Sequence, residues 1–156
     1  MILVELIFFA YRDFTGRADA VLAEYGFGRA HHRVLHFVNR QPGLRVAELL
    51  EILKITKQSL ARVLKQLVDD GFIAQTTGPE DRRERRLHPT EKGSALARRL
   101  AASQMEHIAT ALTALPHEQA AAVKTFLHGL ISEEGLRHID RLHTSLDDQR
   151  AAREMS

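Results

Sequence analysis

The stretch Thr56 to Gly71, TKQSLARVLKQLVDDG, has two unlike faces. On a helical wheel Leu60, Val63, Leu64, Leu67 and Val68 share one side, while Lys57, Gln58, Ala61, Arg62 and Lys65 share the other. The first is a core face. The second is basic and amide-bearing with a small residue in its middle, which suits a helix whose backbone must approach a base-pair floor. Taken alone, such a face is more often the solvated side of an ordinary amphipathic helix. The flanks argue for more. Upstream, Val46 to Leu53 reads as a short helix, and Lys54-Ile55-Thr56 is a tight link in which Thr56 can cap the second helix by accepting from its free N–H groups. Two helices joined so closely make a helix-turn-helix.

Downstream, Gly71 can stop the helix, and Phe72 to Thr77 changes to strand-like composition. A polar loop opened by Gly78-Pro79 leads to a second short strand, Arg85-Arg86-Leu87-His88-Pro89. The pair makes a hairpin longer than the two-residue kind. A helix-turn-helix followed by such a hairpin is a winged helix. Within the loop, Asp81 is placed to pair with Arg83 or Arg85 and hold it, leaving one guanidinium for a narrow minor groove, where negative potential is enhanced.

The whole chain has 156 residues, 44% of them hydrophobic, which is enough for one well-buried core and too little for two ordinary domains. There is no cysteine, so disulfides, thiolate zinc sites and cysteine-based redox sensing are excluded. Met1 to Phe9 is apolar but carries Glu5 and leads into Arg12-Asp13 rather than a cleavage site, so it reads as the start of a helix and the expected compartment is the cytoplasm. No run approaches the roughly 20 apolar residues that span a bilayer. The net charge of +2 says little about partners, but its distribution says more. Lys54, Lys57, Arg62 and Lys65 lie in a stretch without acids, and Arg82, Arg83, Arg85 and Arg86 crowd around a single Glu84.

Around this centre the chain reads as mainly α. Ile2 to about Tyr25 is an amphipathic helix whose Phe8, Phe9, Tyr11 and Phe14 need a partner surface. Arg29 to Arg40 is a second helix, closed by Gln41-Pro42-Gly43. A long helix runs from about Thr90 to Leu115, and after Pro116 a last one is expected from His117 to about Leu146, followed by a frayed polar tail at 147–156. On the second helix Arg29, His32, Arg33 and His36 form a basic, imidazole-bearing strip. His32 and His36 have the spacing to share one ion, with Glu24, His107 or a partner's histidine as third ligand, but no third ligand has specific spacing. Solvated or hydrogen-bonded histidines are the commoner outcome, and an anion-binding patch is as good a reading as a metal. His31 falls toward the apolar side, where a structural role is expected. No metal and no cofactor are assigned.

These motifs resemble the multiple antibiotic resistance regulator (MarR) family of bacterial transcription factors. The resemblance runs in order through Thr56-Lys57-Gln58-Ser59 and Arg62, Leu67-Val68-Asp69-Asp70-Gly71-Phe72-Ile73, the wing motif Asp81-Arg82-Arg83, and Leu87-His88-Pro89-Thr90-Glu91-Lys92-Gly93. It implies a homodimer built from first and last helices (1–28 and 94–146), a winged helix-turn-helix DNA-binding lobe (29–93), a pseudo-palindromic double-stranded operator, and a small, often aromatic and anionic effector in the crevice between lobe and body. DNA-contacting residues carried over are Thr56, Lys57, Gln58, Ser59, Arg62, Lys65, Arg82, Arg83 and Arg85, with Asp81 stabilising the wing. The effector is expected near Arg29, His32, Arg33 and His36. Two departures stand out. The missing cysteine sets the chain apart from the family's peroxide sensors, and His88-Pro89 replaces the more usual hydrophobic-Leu pair, which bears on where the second wing strand ends.

An enzyme is a poor reading. Ser59 and Ser94 lack any nucleophile setting, no glycine-rich phosphate loop exists, and the acids are scattered. Besides a ligand-responsive repressor, two readings stay open: a metal-responsive regulator of the same architecture, and a winged-helix module that binds protein instead of DNA.

Overall fold

The computed structural model describes the backbone of residues 1–116 and 119–154, with side chains as far as Thr144. The elements run α1 (Ile2–Ala23), α2 (Arg29–Arg40), β1 (Leu44–Arg45), α3 (Val46–Leu53), α4 (Lys57–Asp69), β2 (Ile73–Thr77), β3 (Arg85–Pro89), α5 (Glu91–Thr113), α6 (Ala120–Gly129) and α7 (Glu133–Glu154). The fold is a winged helix-turn-helix set among long helices, as the sequence indicates.

The helix-turn-helix forms for local reasons. Lys54, at φ 49°, closes α3 and turns the chain, and Thr56 opens α4 by accepting the Ser59 N–H at 3.1 Å. At the other end Gly71 has φ +74°, and the Phe72 N–H reaches back to the Leu67 carbonyl at 2.8 Å. That left-handed glycine with its backward bond satisfies carbonyls the helix would otherwise leave open.

The sheet is antiparallel in the order β1-β3-β2. β2 and β3 pair from Ile73 with Pro89 to Thr77 with Arg85, so the second wing strand extends through Pro89. β1 is an addition that sequence reading misses: two residues after Pro42-Gly43, with Leu44 opposite Leu87 and Arg45 opposite Arg86. Beneath lies one core. Val34, Leu35 and Val38 of α2 meet Leu49, Leu60, Leu67, Leu87 and Leu100, all of them almost completely shielded from water. Burying side chains of this size contributes about 1.5–3 kcal/mol each before entropy is counted.

The C-terminal part corrects the sequence reading. The expected single helix from His117 to Leu146 is two helices, broken between Gly129 and Glu133. Ser132 starts the second: its Oγ accepts the Gly135 N–H at 3.2 Å, and Glu133 and Glu134 follow where acids favour a helix N-terminus. The Ser-Glu-Glu start signal is visible in sequence, but the apolar spacing from Val123 to Ile131 runs on across it and hides the break. α7 continues to Glu154, past the expected end at Leu146, while His117 and the last two residues of the tail lie outside the described residues. Among the described residues no helix is long and apolar enough to cross a membrane.

Candidate nucleic-acid interface

The wheel drawn from sequence holds. Leu60, Val63, Leu64 and Leu67 are buried and Val68 is partly so, while Lys57, Gln58, Ser59, Ala61, Arg62 and Lys65 are exposed. Gln58, Arg62 and Lys57 have no side-chain hydrogen bond or ion pair among the described residues, so their polar groups are available to a partner. Three others are already engaged. The Thr56 hydroxyl donates to Ser59 Oγ at 2.9 Å, and Lys65 is paired with Asp69 one turn on.

The wing is held differently from the sequence expectation. Asp81 makes no ion pair with Arg83 or Arg85 among the described residues; its Oδ1 instead accepts the Arg83 backbone N–H at 2.8 Å. A carboxylate holding backbone stiffens the loop and leaves the neighbouring guanidinium free. Arg85 staples the loop from the other side, donating from Nη1 to the Arg82 carbonyl at 3.0 Å. Arg86 is drawn to Glu84 at 2.6 Å, and Arg45 of β1 lies 3.8 Å from the same carboxylate. Arg82 and Arg83 are thus left to project. Between helix and wing runs an open groove of about 610 Å³, floored by Leu50, Leu64 and Val68 and edged by Lys57, Lys65 and Arg85. It sets Lys57 and Lys65 of the helix across from Arg85 of the wing, with Asp69 and Gln75 also on its wall.

What aims this face is the junction with α5, whose parts sequence reading singles out without assigning their jobs. Thr90 caps α5 by accepting the Gly93 N–H at 3.0 Å, and its own hydroxyl hydrogen goes to the Gly71 carbonyl at 2.7 Å. Lys92 donates to the Asp70 carbonyl at 2.8 Å and lies over the Phe72 ring at 4.1 Å. A Cβ on Gly93 would stand 1.9 Å from the Phe72 carbonyl oxygen, so only glycine permits the approach. These contacts tie the end of α4 to the start of α5.

A model of the MarR family matches residues 25–84. The HTH-type transcriptional regulator PetP of Rhodobacter capsulatus is 43% identical over 139 residues, covering 89% of this chain and 84% of that protein. The chain belongs to the MarR family. Its fold also matches a MarR transcriptional regulator from Methanosarcina mazei, with 25% identity, a TM-score of 0.70, and coverage of 87% of this chain and 90% of that one. A protein from Listeria monocytogenes crystallised with 26mer DNA shares the fold at TM-score 0.71 and 18% identity, covering 94% of this chain and 93% of that one. The protein is therefore a DNA-binding transcriptional regulator and not an enzyme.

Behind the helix-turn-helix, the predicted strip on α2 divides. His32, Arg33 and His36 line a cavity of about 310 Å³ together with Tyr11, Phe14 and Gln104. Arg29 does not. It pairs with Asp19 of α1 at 2.9 Å and lies against the Tyr11 ring. A second hollow of about 490 Å³, lined from α5 and α7, shares Phe14, His36 and Gln104 with the first. Loss of water lowers the pKa of both histidines, with repulsion from His32 and Arg40 adding to the effect at His36. Both shifts favour the neutral imidazole, which can donate one hydrogen bond and accept another. Nor does Glu24 join them as a metal ligand: it holds Arg99 through two bonds of 2.8 Å. Among the described residues no three metal-binding side chains converge. His31 has the structural role its position suggests. Its Nδ1 accepts the Gly28 N–H at 3.1 Å, its Nε2 lies 2.9 Å from Gln66 Oε1 of α4, and its ring stacks on Phe27.

Proposed function

We propose that this regulator is a cytoplasmic homodimeric repressor that binds a pseudo-palindromic operator and releases it when a small aromatic anion occupies the cavity behind the lobe. The observation that carries the proposal is the position of that cavity. It is walled by α1 and α5, which lead into the ends of the chain, and by α2, which packs directly on α4. Two recognition helices reading successive major grooves must sit about one helical turn, roughly 34 Å, apart. A ligand that favours another spacing lowers DNA affinity by the difference in its own affinity for the two arrangements. In this reading residues 29–93 form the DNA lobe, and 1–28 with 94–146 form the dimer body. Exposed Phe8, Phe9, Phe126, Leu127 and Leu130 support that division, since unpaired apolar patches mark interfaces.

On DNA, Gln58 and Arg62 are assigned to base edges, an amide to adenine and a guanidinium to guanine, each worth about 1–3 kcal/mol of discrimination. Arg83 is assigned to the minor groove, and Lys57, Lys65 and Arg82 to phosphates. Thr56 and Ser59 hold the helix start and Arg85 the wing, both near the backbone. Selection from a randomised operator library tests the assignment. Arg62→Ala should relax the preferred base at one position in each half-site, whereas Lys57→Ala should weaken all sequences alike. An unchanged motif with Arg62→Ala, together with a changed one for Lys65→Ala, would mean that the helix sits in the groove in another orientation.

A further inference from the structure

Arg33 has two neighbours of different kinds. From α2 its Nη2 donates to the Leu53 carbonyl at 2.9 Å, and the same side chain lines the 310 Å³ cavity beside Tyr11, Phe14, His32 and His36. Leu53 is the last residue of α3, where carbonyls lack partners within the helix and a cation is favoured by the helix dipole. The residue that follows, Lys54, takes the positive φ that makes the turn, and its Nζ meets Glu134 of α7 at 2.5 Å. Two residues further on, Thr56 caps α4. Arg33 therefore holds the joint at which the recognition helix is set against α3 and, through Lys54, against α7.

Among the described side chains lining the cavity Arg33 is the only arginine or lysine, and none is an acid. A carboxylate entering there would find one guanidinium, and a bidentate, charge-assisted contact is stronger than a single bond to a neutral carbonyl. We infer that Arg33 is the positioning residue that transmits ligand binding to DNA binding: an anionic ligand in the cavity draws its guanidinium off the Leu53 carbonyl, and the uncapped end of α3 releases the orientation of α4. The inference rests on the reading of this cavity as the effector site and adds the side chain that carries its effect.

The test uses the full chain carrying carbonyl-labelled leucine, with benzoate as the anionic probe and benzamide as its neutral counterpart. Benzoate should shift the Leu53 carbonyl resonance and weaken operator binding about tenfold, a coupling of ordinary size. Benzamide should leave the Leu53 resonance in place. Arg33→Met should bind operator about as weakly without ligand as the wild type does with benzoate and should not respond further, while Arg33→Lys, which retains one donor, should recover part of the affinity. If benzoate moves the His32 and His36 ring signals but leaves the Leu53 carbonyl unmoved, or if folded Arg33→Met binds operator like the wild type, the role of Arg33 is overturned and the cavity reading survives. If benzoate moves none of these signals, the cavity reading falls and the inference falls with it. Should Arg33→Met fail to fold, the leucine-carbonyl measurement on wild type and Arg33→Lys still decides.

Discussion

The lobe around α4 and the two ends of the chain treat apolar side chains in opposite ways. In the lobe Leu49, Leu60, Leu67, Phe72 and Leu87 are at most 2% exposed, each closed in by neighbours from the same chain. At the ends Phe9 is 54% exposed, Phe126 46% and Leu130 56%, and α6 has no buried residue at all. The same hydrophobic effect acts on both. The lobe satisfies it internally, and the ends can satisfy it only against another surface. A winged lobe is thus specified by one chain, while in the proposed dimer the body that spaces two lobes would be specified by a pair.

The sharpest way to break this comparison is to put charges at the ends. In the proposed two-fold assembly Phe9→Asp combined with Phe126→Asp would remove four rings, each worth about 1.5–3 kcal/mol of burial. We expect dissociation over the whole micromolar range in sedimentation experiments, with loss of tight operator binding, while α2 to α4 keep their amide exchange protection. A variant that sediments and binds like the wild type would show that these faces are not the interface. The matching change in the lobe is Gly93→Ala. Its Cβ would meet the Phe72 carbonyl oxygen at 1.9 Å, so backbone must move, and overpacking of this kind costs about 1–3 kcal/mol. The midpoint of denaturant unfolding should fall at unchanged dimer affinity, and operator binding should weaken because α4 and α5 are no longer aligned.

How far the sequence is legible follows the same division. α2, α3, α4 and both wing strands could be placed from periodicity and from Thr56, Gly71 and Gly78-Pro79, because their signals are local and their apolar faces are completed within the chain. β1 was not legible: two residues carry no period, and only pairing with β3 makes them a strand. The break at Leu130 to Ser132 was masked by apolar spacing on both sides. At the cavity, the spacing of Arg29, His32, Arg33 and His36 put them on one helix face but could not say that Asp19 would claim Arg29 or Leu53 would claim Arg33. Partners ten and twenty residues away are tertiary facts.

A smaller effect separates the cavity wall from the rest by pH. His32 and His36 both lie below the ordinary value of 6.5 because packing removes water from their charged forms. The unfolded chain then binds protons that the folded chain does not, so their contribution to stability is intact above pH 6.5 and is lost as pH falls through their lowered values. His32→Gln with His36→Gln should flatten the acid side of the thermal stability curve and leave the alkaline side unchanged. An acid limb as steep as the wild type's would place the responsible groups elsewhere.

The smallest expected effect lies within the recognition helix itself and concerns two lysines that look equivalent in sequence. Lys57 has no acidic partner among the described residues, whereas Lys65 is paired with Asp69, which raises its pKa through that hydrogen bond. A cation that neutralises a phosphate releases condensed counterions and adds about 0.9 to the slope of log affinity against log salt. Lys57 should contribute close to that full amount. Lys65 must first share or give up Asp69, whose own charge repels the backbone, so its net contribution should be a fraction of it. Lys57→Ala should therefore flatten the salt dependence clearly and Lys65→Ala only slightly, while Asp69→Asn should steepen it and tighten binding at low salt. Equal changes for the two lysines would mean that the Lys65–Asp69 pair dissolves on DNA without cost, and that position on the helix alone, not its pairing before binding, decides what each lysine contributes.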